Sequence, residues 1–285
     1  MKTDIIITSD STTDLSTELK ERYDIKISPL AVTLGGKTYI DGVDITPDDI
    51  YAHHDKTGEL PKTSAANVGD MLDFFRQFTE DGKTVIHFTI SSEMSSTYSN
   101  ACLAAAELGN VYVIDTKNLS TGGGLLVVAA AEMRNDGLEA AEIVEKTNAL
   151  VPCVDASFII DSLEYLHKGG RCSAVAMLGA NLLRLKPCIQ VKNGKMDVAK
   201  KYRGKFSEVA KQYITEKLSE SDDIMTDRVF LTHAGCDPEL TSELLALIKE
   251  LCPFKEVFFT RAGCTVSAHC GANTLGVLFI RKSPI

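Results

Sequence analysis

Hydroxyl side chains are concentrated in the run SSEMSSTYSNA, which extends from Ser91 to Ala101. The apolar stretch before it, Val85–Ile90, is typical of a buried strand, and Ala101–Leu108 is typical of a helix. A helix that follows a strand presents free backbone N–H groups and the positive end of its dipole. These groups and the hydroxyls predict an anion site, and the lack of Lys or Arg in the run favours one carboxylate over a phosphate-rich ligand. Ser91 or Ser92 alone also fits a plain N-cap.

Two shorter segments repeat this combination of hydroxyls and helix starts. DSTTDL (Asp10–Leu15) follows the first predicted strand, at a position that often faces a ligand in open α/β sheets. PKTS (Pro61–Ser64) is predicted to lie in a loop before a helix, where Thr63 and Ser64 offer two hydroxyls. In both segments helix capping is an equally good interpretation.

Two basic residues occupy sequence positions that suit contact with an anionic ligand. Arg171 follows two glycines in KGGR, and its side chain either lies on the surface or binds an anionic head group. His269 precedes the last predicted strand, so it either has a structural role or donates an N–H to a carboxylate. His233, at the end of another predicted strand, is a weaker candidate.

Several kinds of site are disfavoured by the sequence. The glycines at 122–124 are followed by Leu125, where a phosphate-binding loop has a lysine. The motifs G-x-S-x-G, G-x-G-x-x-G and H-E-x-x-H are missing. Cys264 and Cys270 flank His269, but no second pair completes a zinc site, so we expect no metal and buried free thiols. Hydroxyls without an activating partner bind ligands and do not attack them.

The composition is that of an ordinary globular protein, with 285 residues, 44% of them hydrophobic and 24% charged. The net charge of −9 argues against nucleic acids and anionic membranes as partners. We expect no membrane span, because no apolar run reaches about 18 residues. We also expect no secretion signal, because Asp4 interrupts the N-terminal apolar stretch, and therefore a cytoplasmic location.

Short β-rich runs alternate with helical stretches along the chain, which predicts an α/β fold with mostly parallel strands. One of the predicted helices is Val175–Leu183. Asn193-Gly194 predicts a two-residue hairpin, so the second half is expected to contain an antiparallel pair that the first half lacks. Pro152 follows a long helical stretch and marks the preferred boundary between two α/β domains, residues 1–152 and 153–285.

Taken in order, the motifs of this chain resemble those of the DegV family of bacterial fatty-acid-binding proteins. The matching segments are DSTTDL (10–15), PLAV (29–32), YIDG (39–42), PKTS (61–64), SSEMSSTY (91–98), DTKNLSTGGG (115–124), SLEYLHKGGR (162–171), KPCI (186–189) and AHCGANTLG (268–276). They span nearly the whole chain. Two of them depart from the family pattern, because Ser96 stands where glycine is usual and Gly271-Ala272-Asn273 where Gly-Pro-Gly is usual.

The resemblance implies two α/β domains with mostly parallel sheets and one long-chain fatty acid between them. It implies an acyl chain in a tunnel and a carboxylate held by hydroxyls and a histidine. The residues of this chain that match the family's carboxylate-binding positions, with their neighbours, are Thr63, Ser95, His269, Ser92, Ser96 (through its N–H) and Arg171.

The resemblance also implies a carrier without a cofactor or catalytic residues of its own. Some family members are the binding subunit of a fatty acid kinase, which present the carboxyl group to a separate ATP-binding subunit and carry the acyl phosphate onward. Arg203, in KKYR after the hairpin, matches a basic position that resembles a kinase-docking residue, although a solvated charge cluster is an equal alternative. The competing function is an α/β enzyme, a hydrolase or transferase, that uses Ser95 and His269.

Overall fold

The computed structural model describes residues 4–173, 185–219 and 222–285, and the helix predicted over Val175–Leu183 lies outside them. The strands are β1 (Ile5–Asp10), β2 (Lys26–Ser28), β3 (Ala31–Leu34), β4 (Lys37–Ile40), β5 (Lys62–Ser64), β6 (Thr84–Thr89), β7 (Val111–Asp115), β8 (Val154–Ile160), β9 (Leu185–Lys192), β10 (Lys195–Arg203), β11 (Ile224–Ala234), β12 (Glu256–Arg261) and β13 (Thr274–Arg281). The helices are α1 (Thr17–Arg22), α2 (Pro47–Thr57), α3 (Val68–Thr79), α4 (Thr97–Leu108), α5 (Thr121–Asn135), α6 (Ala140–Leu150), α7 (Glu164–Gly169), α8 (Phe206–Ser219), α9 (Pro238–Leu251) and α10 (Cys264–Cys270). Within the described ranges, none of these helices is long and apolar enough to cross a membrane.

The first sheet is parallel and has the strand order β2-β1-β6-β7. Strands β1 and β6 are almost completely buried, as expected for parallel strands that are covered on both faces. Because the carboxyl ends of these strands lie at one edge, the segments that follow them meet there. The backbone N–H of Ile90, after β6, accordingly donates to Asp10 Oδ2 at the end of β1, at 2.8 Å.

The second sheet has the order β10-β9-β8-β13-β11-β12, and only its β11–β12 pair is parallel. The predicted α/β class is therefore confirmed, whereas mostly parallel pairing describes the first sheet alone. Alternation of strands and helices predicts crossovers but does not fix strand direction, and β13 runs antiparallel to both of its neighbours. The predicted hairpin joins β9 to β10, and Asn193 and Gly194 have the positive φ values of 50° and 80° that a type I′ turn requires.

A third sheet of three antiparallel strands, β4-β3-β5, belongs to the first half of the chain. The expectation that the first half lacks antiparallel pairs is therefore wrong. These strands have only three or four residues, which is too short to show the alternation by which a strand is recognised in a sequence. Thr63, predicted to lie in a loop, is in fact part of β5 and pairs with Val32 of β3.

Helix α5 lies between the two larger sheets and is buried along most of its length. The main hydrophobic core contains apolar side chains from both sheets and from this helix, among them Ile7, Phe88, Leu125, Phe158, Ile189 and Leu278. The glycines at the start of α5 allow this close packing, since a Cβ atom on Gly124 would lie 2.9 Å from the carbonyl oxygen of Thr13. These glycines therefore allow the start of α5 to pack closely against the loops that follow the strands of the first sheet.

The boundary predicted near Pro152 coincides with a 3-10 turn, Val151–Cys153, directly before β8. The division into domains 1–152 and 153–285 stays a prediction. Buried thiols were expected, and the cysteines at 153, 172, 188, 236, 252, 264 and 270 are buried, whereas Cys102 is half-buried.

Candidate functional site

A cavity of about 320 Å³ lies where strand β5, the segment after β6, helix α7 and helix α10 meet. This volume is within the range of about 300–1,000 Å³ that is usual for small-molecule sites. Part of the wall is apolar and includes Leu30, Ile90, Met94, Leu119, Phe158 and Leu166. The polar part contains Thr63, Ser95, Ser96, Arg171, Thr265 and His269.

A second, smaller space of about 40 Å³ adjoins the first and has mainly apolar walls. The hydroxyls in its walls are bonded to neighbouring groups, as Thr232 Oγ1 is to Thr260 Oγ1 at 2.9 Å. None of the six predicted ligand-binding residues lines it. The two spaces share Leu119, Phe158, Val266 and Cys270.

The central polar contact joins Thr63 to His269, which are 206 positions apart in the sequence. Thr63 Oγ1 lies 2.8 Å from His269 Nε2, so strand β5 and helix α10 are linked at the cavity wall. Burial, with a smaller contribution from the charge of Arg171, lowers the pKa of His269 to about 4. The imidazole is therefore neutral at pH 7 and is able to donate one N–H to an acceptor.

Helix α7 packs closely against the other side of the His269 ring. A Cβ atom on Gly169 would lie 2.5 Å from His269 Nδ1, so only glycine fits at this position without displacing the ring. Nδ1 is buried and has no hydrogen-bond partner among the described residues. The KGGR segment thus both confines the histidine and brings Arg171 to the cavity. Arg171 itself is exposed and donates from Nη1 to the carbonyl oxygen of Gly169 at 2.8 Å.

Ser95 and Ser96 border the cavity at the N-terminus of α4. The backbone N–H of Thr97 donates to Ser95 Oγ at 3.2 Å, and the two side-chain oxygens lie 2.9 Å apart. Ser96 is the N-cap residue, but its hydroxyl makes no capping bond. This end of α4 therefore places a hydroxyl and the positive end of a helix dipole at the cavity that His269 also lines.

Two other serines of the same run face elsewhere. Ser91 Oγ donates to the carbonyl oxygen of Gly194 at 2.8 Å and so contacts the β9–β10 turn. Ser92 Oγ accepts a hydrogen bond from Lys117 Nζ at 2.8 Å, and Ser92 does not line the cavity. The structure therefore brings together five of the six predicted residues, but not Ser92, because the chain turns toward β7 at that position.

The polar wall also contains a buried threonine that was not predicted. Thr265 lines the cavity, and its Oγ1 is buried without a hydrogen-bond partner in the described part of the chain. It precedes His269 by four positions, so the two side chains lie on the same face of α10. A threonine four positions before the candidate histidine is the sequence signal that would have identified Thr265.

The lowered pKa of His269 predicts a pH-dependent contribution to stability. The pKa of about 4 in the folded protein lies below the ordinary histidine value of 6.5, so between these two pH values the unfolded chain binds a proton that the folded chain does not. This term is favourable above pH 6.5 and is lost as the pH falls toward 4. His269→Gln removes this pH-dependent contribution. As the pH is lowered from 7 to 4, the free energy of unfolding of wild type should therefore fall, relative to that of the variant, by up to about 3 kcal/mol.

Urea unfolding at the two pH values measures this difference. His87 and His233 also have pKa values lowered by burial, but both proteins contain them and their effects cancel. A stability difference that stays constant with pH would show that His269 is protonated alike in the folded and unfolded chains.

The described residues show neither a metal cluster nor a Ser95–His269 hydrogen bond in the cavity. No group of three or more His, Cys, Asp or Glu side chains in residues 4–173, 185–219 and 222–285 is placed to hold a metal ion. Ser95 is bonded to Thr97, and His269 to Thr63. The arrangement offers neutral hydrogen-bond donors at one part of a largely apolar space, which suits binding of a ligand with one polar end.

Comparison with known proteins matches residues 4–282 to a family model described as an uncharacterised protein of the DegV family. A DegV domain-containing protein of Clostridium acetobutylicum is 33% identical over 280 residues, which is 98% of this chain and 99% of that protein.

Solved structures show the same fold. A DegV family protein of Thermus thermophilus, described for its fatty acid binding, has a TM-score of 0.87 and 29% identity, covering 97% of this chain and 99% of that one. A stearic acid-binding protein of Eubacterium ventriosum has a TM-score of 0.84 and 32% identity, covering 97% of this chain and 98% of that one.

Proposed function

The chain belongs to the DegV family, and on this premise we propose that it binds one long-chain fatty acid in the two adjoining cavities. The carboxylate lies at the polar wall of the first cavity, and the acyl chain extends into the second. The observation that carries this proposal is the Thr63–His269 pair beside a space that is otherwise largely apolar. Solved relatives of similar fold are described as fatty-acid-binding proteins, which supports the same ligand class here.

The energetics favour a ligand with a long apolar chain and a single acidic group. Each buried methylene contributes about 0.8 kcal/mol, before the cost of ordering the chain. A carboxylate taken out of water is destabilised unless several donors meet it. Thr63, Ser95, the N–H of Ser96 and neutral His269 supply such donors, and exposed Arg171 supplies a positive charge at the edge. Ser92 is left out of the proposed set because its hydroxyl is bonded to Lys117.

The first test is to identify the ligand that accompanies the protein from a bacterial host. Native mass spectrometry should show one bound molecule per chain, and lipid extraction should identify a long-chain fatty acid. Wild type should bind the acid more tightly than the alcohol of equal length, and His269→Ala should lower the affinity for the acid more than for the alcohol. Protein without lipid that also fails to bind added fatty acid would contradict the proposal.

We further infer that the protein presents the carboxyl group to a separate fatty acid kinase subunit. The competing function is an enzyme that uses Ser95 and His269. The geometry does not support it, because Ser95 is hydrogen-bonded to Thr97 and His269 to Thr63. We therefore propose a carrier that needs no cofactor. The buried thiols are typical of a reducing compartment, which supports a cytoplasmic location.

Arg203 is the proposed contact for this kinase. It is exposed at the end of β10, an edge strand of the second sheet, and Lys201 beside it is exposed as well. Arg203→Ala should leave fatty acid binding intact and lower the rate of acyl-phosphate formation, because a basic patch steers an acidic partner. The rate should also depend less on salt, since one screened charge pair is lost.

The assay uses purified subunits at two ionic strengths. Lys255→Ala is a matched control, because Lys255 precedes β12 at the opposite edge of the same sheet. If Arg203→Ala and Lys255→Ala couple to the kinase equally well at low salt, Arg203 is only a surface charge and the docking face lies elsewhere.

A further inference from the structure

Two carboxylates from the first half of the chain meet at the N-terminus of α10, the helix that carries His269. Asp14 belongs to the DSTTDL motif and Asp41 to YIDG, and neither residue lines the proposed ligand cavities. Both are buried, with 7% and 4% of their surface exposed. They are separated from α10 by more than 220 positions, so the contact depends on the tertiary fold.

These carboxylates accept hydrogen bonds from three successive backbone N–H groups. Gly263 N donates to Asp14 Oδ1 at 2.7 Å. Cys264 N and Thr265 N donate to Asp41 Oδ1 and Oδ2 at 2.8 and 3.1 Å. The N–H groups at the start of a helix have no partner within the helix, so the two aspartates complete the hydrogen bonding of α10 from outside.

Each carboxylate is itself held by a hydroxyl from a different part of the fold. Ser11 Oγ donates to Asp41 Oδ2 at 2.9 Å and accepts from the N–H of Leu30. Ser120 Oγ, just before α5, lies 2.5 Å from Asp14 Oδ2. Burial raises the pKa of Asp14 to about 8, so this carboxyl group is mostly protonated at neutral pH while it stays hydrogen-bonded to Ser120. The N-terminus of α10 is thereby fixed to the segment after β1 and to the residue before α5.

The close approach also restricts the residue at the helix start. A Cβ atom on Gly263 would lie 3.1 Å from Asp14 Oδ1 and 3.3 Å from Asp41 Oδ1. Asp14 has a φ of 49°, in the left-handed region that non-glycine residues seldom adopt. A short helix of seven residues extends only about 10 Å, so a tilt at its start displaces the side chains of its last turn.

We propose that Asp14 and Asp41 are positioning residues that hold α10 so that His269 stays within hydrogen-bond distance of Thr63. They contact neither the cavities nor the ligand, and they act through the helix. The consequence for ligand selection rests on the proposed function, because it requires that His269 donates to a fatty acid carboxylate. The consequence for the imidazole does not, because it is measured on the protein without ligand.

The test compares four variants by two measurements. Asp41→Asn replaces one of the two carboxylate oxygens by an amide nitrogen, which cannot accept a hydrogen bond from the N–H of Thr265. Asp14→Ala removes the acceptor for Gly263, whereas Asp14→Asn keeps it. Asp155→Asn is the control, because Asp155 is also nearly buried and ion-paired to Lys217 and Arg281. The measurements are the ¹⁵N spectrum of the His269 ring without ligand and the affinity ratio of palmitate to hexadecanol.

Asp41→Asn and Asp14→Ala should shift the His269 ring resonances. They should also lower the palmitate-to-hexadecanol affinity ratio about tenfold, because that is the effect of losing one hydrogen bond to a charged group. Asp14→Asn should restore both measurements, and Asp155→Asn should lower the melting temperature only. If Asp41→Asn does not fold, Ser11→Ala, which removes one donor to Asp41, replaces it with a smaller expected shift in the same direction.

Unshifted ring resonances in folded Asp41→Asn and Asp14→Ala would overturn the positioning role, whatever the ligand. An unchanged ratio together with shifted resonances would overturn its role in ligand selection. Failure of the proposed function is recognised separately, because wild type itself would then show no preference for the acid.

Discussion

Replacing Thr63 by valine is expected to lower the affinity for a long-chain fatty acid by about tenfold to a hundredfold. Valine has nearly the shape of threonine, so the change removes the hydroxyl and little else. A hydrogen bond to a charged group is worth roughly 1.5–3 kcal/mol. The change also deprives His269 Nε2 of its partner at 2.8 Å, so the imidazole loses its fixed orientation.

Isothermal titration calorimetry with palmitate measures the effect, and Thr33→Val is the matched control. Thr33 lies on β3 of the same small sheet, its hydroxyl bonds to Thr38 at the exposed surface, and it does not line the cavity. Ser95→Ala should also weaken binding, but with a loss of stability of about 1 kcal/mol, because Ser95 Oγ accepts from the N–H of Thr97. Equal affinities of wild type and both site variants would exclude Thr63 and Ser95 from the carboxylate site.

Thr63 and His269 should also show coupled effects. Because each is the hydrogen-bond partner of the other, the loss in Thr63→Val/His269→Ala should be smaller than the sum of the two single losses. Additive losses would mean that the two residues contact the ligand independently.

The polar part of the site was predictable because hydroxyls after strands and before helices are local patterns. Ser95, Ser96 and Thr63 are short-range signals of this kind, and the resemblance to a family joined them to Arg171 and His269. The sequence could not show that Ser92 turns away, because that depends on Lys117 reaching its hydroxyl at 2.8 Å from the segment after β7. A difference of three positions along one loop thus separates a cavity residue from a structural one.

The fold was predictable where elements are long and less so where they are short. The Asn193-Gly194 turn could be predicted because its positive φ values limit the residues that fit. The β3, β4 and β5 strands contain too few residues to alternate visibly, and so the position of Thr63 within a sheet was missed. Strand direction in the second sheet depends on pairing between β8 and β13, which are more than a hundred residues apart.

The proposed roles of Asp14 and Asp41 could not be predicted from the sequence, for a related reason. In DSTTDL an aspartate beside hydroxyls is typical of a local helix cap, and the capping residues of α1 and the preceding turn are in fact Ser16 and Asp10. Asp14 instead accepts from Gly263, 249 positions away. Local capping and long-range capping use the same residue types, so only the fold distinguishes them.

At the opposite end of the ligand, replacing Val266 by phenylalanine is expected to exclude long acyl chains while sparing short ones. Val266 lies at the junction of the two cavities and is buried, and a larger apolar ring there blocks the passage without burying a polar group. A space of about 40 Å³ holds one or two methylenes, so binding should weaken by about 0.8–1.6 kcal/mol, or on the order of tenfold. Octanoate, which needs only the first cavity, should keep its affinity.

The measurement is the binding free energy as a function of chain length, from eight to eighteen carbons. In wild type it should become more favourable with each methylene, and in Val266→Phe it should level off at a shorter chain. Val266→Ala, which opens the junction, should retain binding of long chains. A uniform loss at every length in Val266→Phe would mean that the ring displaces His269 on the same helix and that the second cavity takes no part.

The two ends of the ligand can then be tested against each other. Thr63→Val acts on the carboxylate and Val266→Phe on the far part of the chain, so their losses for palmitate should add in the double variant. For octanoate the double variant should show the Thr63→Val loss alone. Losses that fail to add for palmitate would show that the blocked chain shifts the carboxylate away from Thr63, and hence that chain and head group are not bound independently.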